Sequence, residues 1–340
     1  MKRLSLSFYG VGVSVESDDA RLLEAAEHDF SYFLGDAPEP AVRIEHFARR
    51  PDYDALPSLR ASVITPRNVT FSAGEETYID YSGRALSVYR KADNHFRVYT
   101  DQADLGHEIV YLTILARVSE LLDQRGLHRI HGLGLEYHGE GALLLLPSGG
   151  GKTTMTMQLL GSEDRGLRLL SEDSPLIRKD GTLLPFPLRI GTHPGAVPPG
   201  LDPKYLRQIT RMEYDAKLTI DVRPFAGRLC TTEVKPGVLL LGVRSSGREA
   251  RIRKVSRTAA VRHALMDSVI GVGLFQGMEF ITQRSAREIA AGAQVLASRA
   301  LNNFRMVQRS EVFELLLGRD LKRNFAALVE FLEARRVARC

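Results

Sequence analysis

The stretch LLLLPSGGGKTTMTMQLL, residues 143–160, decides how the rest of the chain is read. Its four successive leucines suit a strand covered on both faces of a sheet. From Lys152 onward the residues suit a helix, and the glycines between suit a tight loop. Strand, glycine loop and helix in this order are the local context of a phosphate-binding loop. The general pattern G-x-x-x-x-G-K-[ST] puts its first glycine at position 146, where this chain has Leu146. The rest is present as Ser148, Gly149, Gly150, Gly151, Lys152 and Thr153, followed by Thr154. Backbone N–H groups in such a loop form a nest for phosphate oxygens, and glycines permit positive φ and close approach. Lys152 is expected to reach the β- and γ-phosphates of ATP, with the Thr153 hydroxyl on Mg2+. The helix N-terminus adds partial positive charge. The plain alternative is a glycine-rich strand-to-helix turn with an incidental lysine.

Outward from the loop, the pattern predicts a strand over 129–137, a tight turn, a strand over 142–146 and a helix over 152–161. A strand over 167–172 and a hairpin over 175–190 follow. Upstream, DLGHEIVYLTILARVSELLDQR (104–125) reads as an amphipathic helix stopped by Gly126. Residues 1–103 read as an α/β unit: LSLSFYGVGVSV and AVRIEHFA alternate like strands, and DDARLLEAAEHDFSYFL has helical spacing. The segment ETYIDYSGRALSVYRKADNHFRVYT reads as strands joined by Ser-Gly and Asp-Asn turns. Residues 191–216 are rich in proline and glycine and are expected to form a lid, and KLTIDVR and GVLLLGVR read as further strands. Beyond 256, helices are expected over 257–270, 284–301 and 311–335, with FRMVQR as a strand between them. The expected domains are 1–103, a nucleotide-binding core over 104–255 and a helical C-terminal part over 256–340.

From His131 the chain runs HGLGLEYHGEGALLLLPSGGGKT, without a gap. This resembles the HPr kinase family, with His-Gly, a Gly-x-Gly and then a loop of form G-x-S-G-x-G-K-[ST]. His131, Gly132, Gly139, Gly141, Ser148, Gly149, Gly151, Lys152 and Thr153 stand in the matching places. Leu146 is the departure, at the glycine least involved in phosphate contact. ATP-dependent phosphoenolpyruvate carboxykinase has a related S-G-x-G-K-T-T loop and is the more distant likeness. The resemblance implies an α/β fold with a P-loop kinase core of HPr kinase/phosphoenolpyruvate carboxykinase type, an N-terminal α/β unit and a helical C-terminal region. It also gives meaning to RLLSEDSPLI, because relatives carry two acidic residues shortly after the loop helix. Here they are Glu172 and Asp173. One carboxylate takes the proton from the attacking hydroxyl and one helps to hold Mg2+. The family pattern implies Glu172 as the base and Asp173, with Thr153, on the metal. The R-G-x-G segment of HPr kinases is not found, so the chain resembles a divergent member. Similar kinases occur beside biosynthetic peptide clusters and phosphorylate a serine of lasso-peptide precursors.

His131 is expected beside the acids, tuning the base or sensing the γ-phosphate. Arg189 and Lys217 flank the 191–216 segment and are candidate cations for the transferring phosphoryl group. The acceptor implied is a serine-type hydroxyl of a peptide or protein, such as a ribosomal precursor peptide. A small-molecule hydroxyl, or nucleotide binding without transfer, are the alternatives, and a homo-oligomer is left open. Composition bounds the rest. A formal net charge of +5 over 340 residues favours anionic ligands without demanding nucleic acid. The two cysteines, Cys230 and Cys340, have no metal-ligand spacing. No apolar run reaches the ~18–20 residues of a membrane span, so no membrane partner and a cytoplasmic location are expected.

Overall fold

The computed structural model describes residues 1–146, 150–163, 166–210, 212, 216–258, 260–261 and 286–338, with the backbone alone at 194 and 286–291. The protein is mixed α/β and forms two compact units. Of the described residues, 1–122 and 204–221 belong to one unit, and 123–203, 222–261 and 287–338 to the other. The long helix predicted over 104–125 therefore belongs almost wholly to the first unit.

The first unit is built on an eight-stranded sheet. Its strands are β1 (Lys2–Phe8), β2 (Val11–Ser17), β3 (Val42–Phe47), β4 (Ala61–Ile64), β5 (Val69–Ala73), β6 (Glu76–Asp80), β7 (Leu86–Arg90) and β8 (His95–Tyr99). They lie in the order β1-β2-β3-β8-β7-β6-β5-β4. Pairing is antiparallel except at β2–β3 and β3–β8. The crossover from β2 to β3 carries helix α1 (Ala20–Asp29), whose N-cap Asp19 accepts from the Arg21 backbone N–H. The Ser-Gly and Asp-Asn turns fall where expected, with Ser82, Gly83 and Asn94 at positive φ. Helix α2 (Ala103–Gln124) follows β8.

The second unit opens with the short β9 (His128–Arg129), then β10 (Leu133–Tyr137) and β11 (Glu140–Leu145). Helix α3 (Lys152–Gly161), β12 (Leu167–Ser171), β13 (Leu176–Ile177), β14 (Leu183–Leu184) and β15 (Ile190–Thr192) come next. The chain then contributes β16 (Leu206–Ile209) and β17 (Lys217–Ile220) to the first unit as an antiparallel hairpin. Ser31 Oγ donates to Asp221 Oδ1 at 2.6 Å and His28 Nε2 sits 3.2 Å from the Tyr205 carbonyl, which tie this hairpin to the end of α1. The described residues of the 191–216 segment are thus divided, those from Lys204 onward belonging to the first unit. The second unit resumes with β18 (Lys235–Arg244) and β19 (Arg251–Lys254), and after α4 (Ala286–Arg309) ends with β20 (Glu311–Leu317) and α5 (Leu321–Val337).

The sheet of the second unit has the order β12-β10-β11-β18-β20-β19. β11 is interior, antiparallel to β10 and parallel to β18. Leu143, Leu144, Leu145 and Leu146 are all buried, as a strand covered on both faces requires. Leu143 and Leu145 join Leu239, Leu241, Met306, Val307 and Val312 in one core cluster. Leu146 lies over Gly242 of β18, where an added Cβ would stand only 2.1 Å from Leu146 Cδ2. Arg228 donates to the carbonyls of Leu159 and Ser162, both at 2.7 Å, and so holds the C-terminal end of α3.

The C-terminal region departs from expectation. FRMVQR (304–309) is the end of α4 and no strand, because Asn302, Asn303, Met306 and Val307 are buried at helical spacing. The helix expected over 311–335 instead begins with a strand. Val312, Leu315 and Leu317 are buried, and β20 runs parallel to β18. Helix begins only after Asp320, whose side chain caps α5 at Arg323 N. Most of the helix expected over 257–270, and residues 284–285 of the next, lie outside the described residues. Among the described residues no helix is long and apolar enough to cross a membrane.

Leu143→Ala should cost about 2–5 kcal/mol, the range for deleting a fully buried leucine side chain. Chemical denaturation of the two proteins, followed by a probe in the second unit, measures the difference.

Candidate functional site

The site grows from the end of β11. Leu146 is buried, and its carbonyl accepts from Lys152 Nζ at 2.9 Å. Gly150 and Gly151 carry the chain into α3, while Ser148 and Gly149 lie outside the described residues. Gly151 is the N-cap of α3 with φ 101°, a left-handed conformation that a side chain would strain. Its carbonyl accepts from Met155 N at 3.0 Å and closes the first turn. The N–H groups ahead of that turn have no helical acceptor, and the helix dipole makes their end electropositive.

A second segment, residues 128–132, is pinned to the turn that carries the acids. β9 pairs with β13 through Arg129 opposite Leu176 and His128 opposite Ile177. The pairing continues as Ile130 N–H donates to Pro175 O at 3.0 Å and Gly132 N–H to Asp173 O at 2.9 Å. Side chains alternate along this extended segment. Arg129 and His131 turn toward Ser174 and Asp173, whereas His128 and Ile130 turn into the body of the unit. On that inner side His128 sits between Asp123 and Ser298, each 2.8 Å from a ring nitrogen. Arg299 grips the same Asp123 carboxylate at 2.9 and 2.7 Å.

On the outer side the predicted residues converge. Lys152 Nζ is 2.9 Å from His131 Nε2, and its side chain is almost wholly buried. An ammonium group only donates, so Nε2 accepts and the ring proton is on Nδ1. That nitrogen faces Asp173 Oδ1 at 3.2 Å, while Lys152 Nζ is 3.8 Å from the same oxygen. Glu172 points the other way: the Thr153 hydroxyl donates to its Oε1 at 2.5 Å. The two acids, adjacent in sequence, therefore meet different residues of the loop. Asp173 meets the lysine and Glu172 the threonine.

Burial pushes the Asp173 carboxyl up, but His131, Lys152 and Arg129 together outweigh it and hold the group below its ordinary value of 3.8. Arg129 is a participant that the local sequence pattern did not disclose. Its Nε and Nη2 approach Ser174 Oγ at 3.2 and 2.6 Å, and its guanidinium lies 5.5 Å from the centre of the Phe186 ring. Its register opposite Leu176 is the link to the acids, and only the strand pairing shows it.

Of the remaining predicted residues, Thr154 is half-buried on the first turn of α3. Arg189 is half-buried immediately before β15 in the same unit. Lys217 opens β17 and belongs to the first unit. Among the described residues no group of three His, Cys, Asp or Glu side chains is arranged to hold a metal ion by itself. The pair Thr153 and Glu172 suits Mg2+ that arrives with phosphate, because that ion is commonly held by one or two carboxylates together with substrate oxygens.

No protein-family model matches the chain, and no curated protein matches it.

A carboxyl whose folded value lies below its unfolded one adds stability that is complete above the unfolded value and lost as pH falls through the folded one. Asp173→Asn should therefore destabilise the protein at pH 6. The gap to the parent should close as pH falls below about 3.8, the unfolded value. Denaturation midpoints of both proteins over a pH series measure this.

Proposed function

We propose that the protein is an ATP-dependent phosphotransferase with a P-loop kinase core of HPr kinase-like type. It transfers the γ-phosphoryl group to a hydroxyl, and the acceptor suggested by the resemblance is a serine of a peptide or protein. The observation that supports the reading best is the pairing of loop and acids. Lys152 Nζ stands between His131 Nε2 at 2.9 Å and Asp173 Oδ1 at 3.8 Å, while Thr153 Oγ1 meets Glu172. A glycine turn with an incidental lysine gives no reason for this convergence. Phosphoryl transfer does, because it needs a cation, a metal-side hydroxyl and a base within reach of one phosphate.

Before nucleotide enters, Lys152 is held by the Leu146 carbonyl and by His131. Binding exchanges these neutral acceptors for phosphate oxygens, which are stronger partners for an ammonium group. Glu172 and Thr153 would hold Mg2+, whose chemistry is to neutralise charge on the β- and γ-oxygens. Asp173 takes the proton of the incoming hydroxyl. His131, whose Nδ1 lies 3.2 Å from Asp173 Oδ1, helps to keep that carboxylate ionised. In this reading the acids exchange the roles that the family pattern implies, because the Thr153 hydroxyl meets Glu172.

Lys152→Ala should lose a charge-assisted contact of about 1.5–3 kcal/mol and weaken Mg-ATP binding roughly ten- to hundred-fold, which titration calorimetry reads. Unchanged affinity would remove the loop from the site. Asp173→Asn should keep ATP affinity and lose on the order of 10²–10⁴ of the transfer rate. Glu172→Gln should raise the Mg2+ requirement, and added Mg2+ should restore part of the activity. If Glu172→Gln instead abolishes transfer at saturating Mg2+ and Asp173→Asn spares it, Glu172 is the base. Labelled ATP with candidate peptides, and mass spectrometry to locate the phosphate, tests the acceptor. Label on a free metabolite would exclude a peptide acceptor, and binding without any transfer would leave a nucleotide-binding module.

A further inference from the structure

We propose that Arg129 is a positioning residue for Asp173: acting through Ser174, it fixes the turn that carries both carboxylates against the segment that carries His131. The inference rests on the phosphotransfer reading for its effect on rate, and on geometry alone for its effect on the turn.

The turn from Ser171 to Pro175 is short and must present two adjacent acids in opposite directions. Its backbone is tied at Asp173 O and Pro175 O, by Gly132 and Ile130 respectively. Inside the turn, Ser171 Oγ accepts from Ser174 N at 3.0 Å. Ser174 is buried, and its hydroxyl oxygen accepts from both Nε and Nη2 of Arg129. Two donors of a rigid planar fork on one oxygen fix direction as well as distance.

Arg129 is itself 6% exposed, and the Phe186 ring lies against its guanidinium. A buried guanidinium is costly unless its charge is compensated, and the Asp173 carboxylate in the same turn feels that charge. The charged and titratable groups acting on Asp173 are His131 and Arg129 from the 128–132 segment and Lys152 from α3. Glu172 is its chain neighbour in the turn. Nucleotide will draw Lys152 away toward phosphate.

The test uses the full chain, with Arg129→Gln to remove charge and fork together and Ser174→Ala to remove only the acceptor. Amide hydrogen exchange of residues 171–174 reports the order of the turn, and ADP release from Mg-ATP is measured with the candidate acceptors. In Arg129→Gln and in Ser174→Ala the amides of the turn should exchange faster than in the parent. Both variants should lose about ten- to hundred-fold in kcat while the Kd for Mg-ATP stays within about twofold, as misplacement of a reacting group predicts. Ser174→Ala keeps the guanidinium, so matching losses in the two variants assign the effect to the contact between Arg129 and Ser174. Unchanged amide exchange in both variants overturns the proposal, and so does parent kcat in both. Absence of ADP release from the parent with every acceptor would refute the phosphotransfer reading, while amide exchange would still decide whether Arg129 orders the turn.

Discussion

The site depends on one backbone connection, the short run of hydrogen bonds between residues 129–132 and the turn at 173–176. Ile130 and Gly132 donate to Pro175 and Asp173, and Arg129 pairs with Leu176. This run sets His131 opposite Asp173 and Arg129 opposite Ser174, because side chains of an extended segment alternate in direction. A slip of one residue would put His128 and Ile130 in those places. The slip is opposed from the inner side, where His128 is held by Asp123 and Ser298 and Ile130 lies in the core. Burial of one face thus specifies the register of the other.

Charge is distributed in the same two layers. Behind the segment, Arg299 and His128 share the Asp123 carboxylate. In front, Lys152, His131 and Arg129 surround Asp173. The inner group is closed on itself, since each of its members is already matched. In the outer group Lys152 and Arg129 stand with the carboxylates of Asp173 and Glu172 at the electropositive end of α3.

The loop and its flanking strand and helix were legible because each signal there is local. Four leucines, a glycine run and a lysine at the helix start can be read without knowing what lies across the sheet. The acids and His131 were singled out by the family resemblance, and the structure places them beside Lys152 and Thr153. Which acid meets which loop residue was not, because that depends on the path of a five-residue turn. Arg129 was invisible for a related reason: its partner Ser174 is 45 residues away, and only strand pairing brings them together. The same limit misplaced the C-terminal elements. Both FRMVQR and EVFELLL are rich in apolar residues, and short apolar runs do not distinguish helix from strand until their neighbours are known. β20 is a strand because β18 and β19 lie on either side of it.

The contact between Leu146 and Gly242 constrains how this loop can vary. The leucine stands where the phosphate-loop pattern has glycine, and its branched end occupies the space that a side chain at 242 would need. Returning glycine to 146 alone would open a void inside the sheet, and any larger residue at 242 alone would collide with the leucine. The two positions form a lock that opens only by a joint change. Either single change lowers stability, and only a joint change avoids both costs. Leu146 is thus held in place by the strand beneath it rather than by anything the glycines after it require.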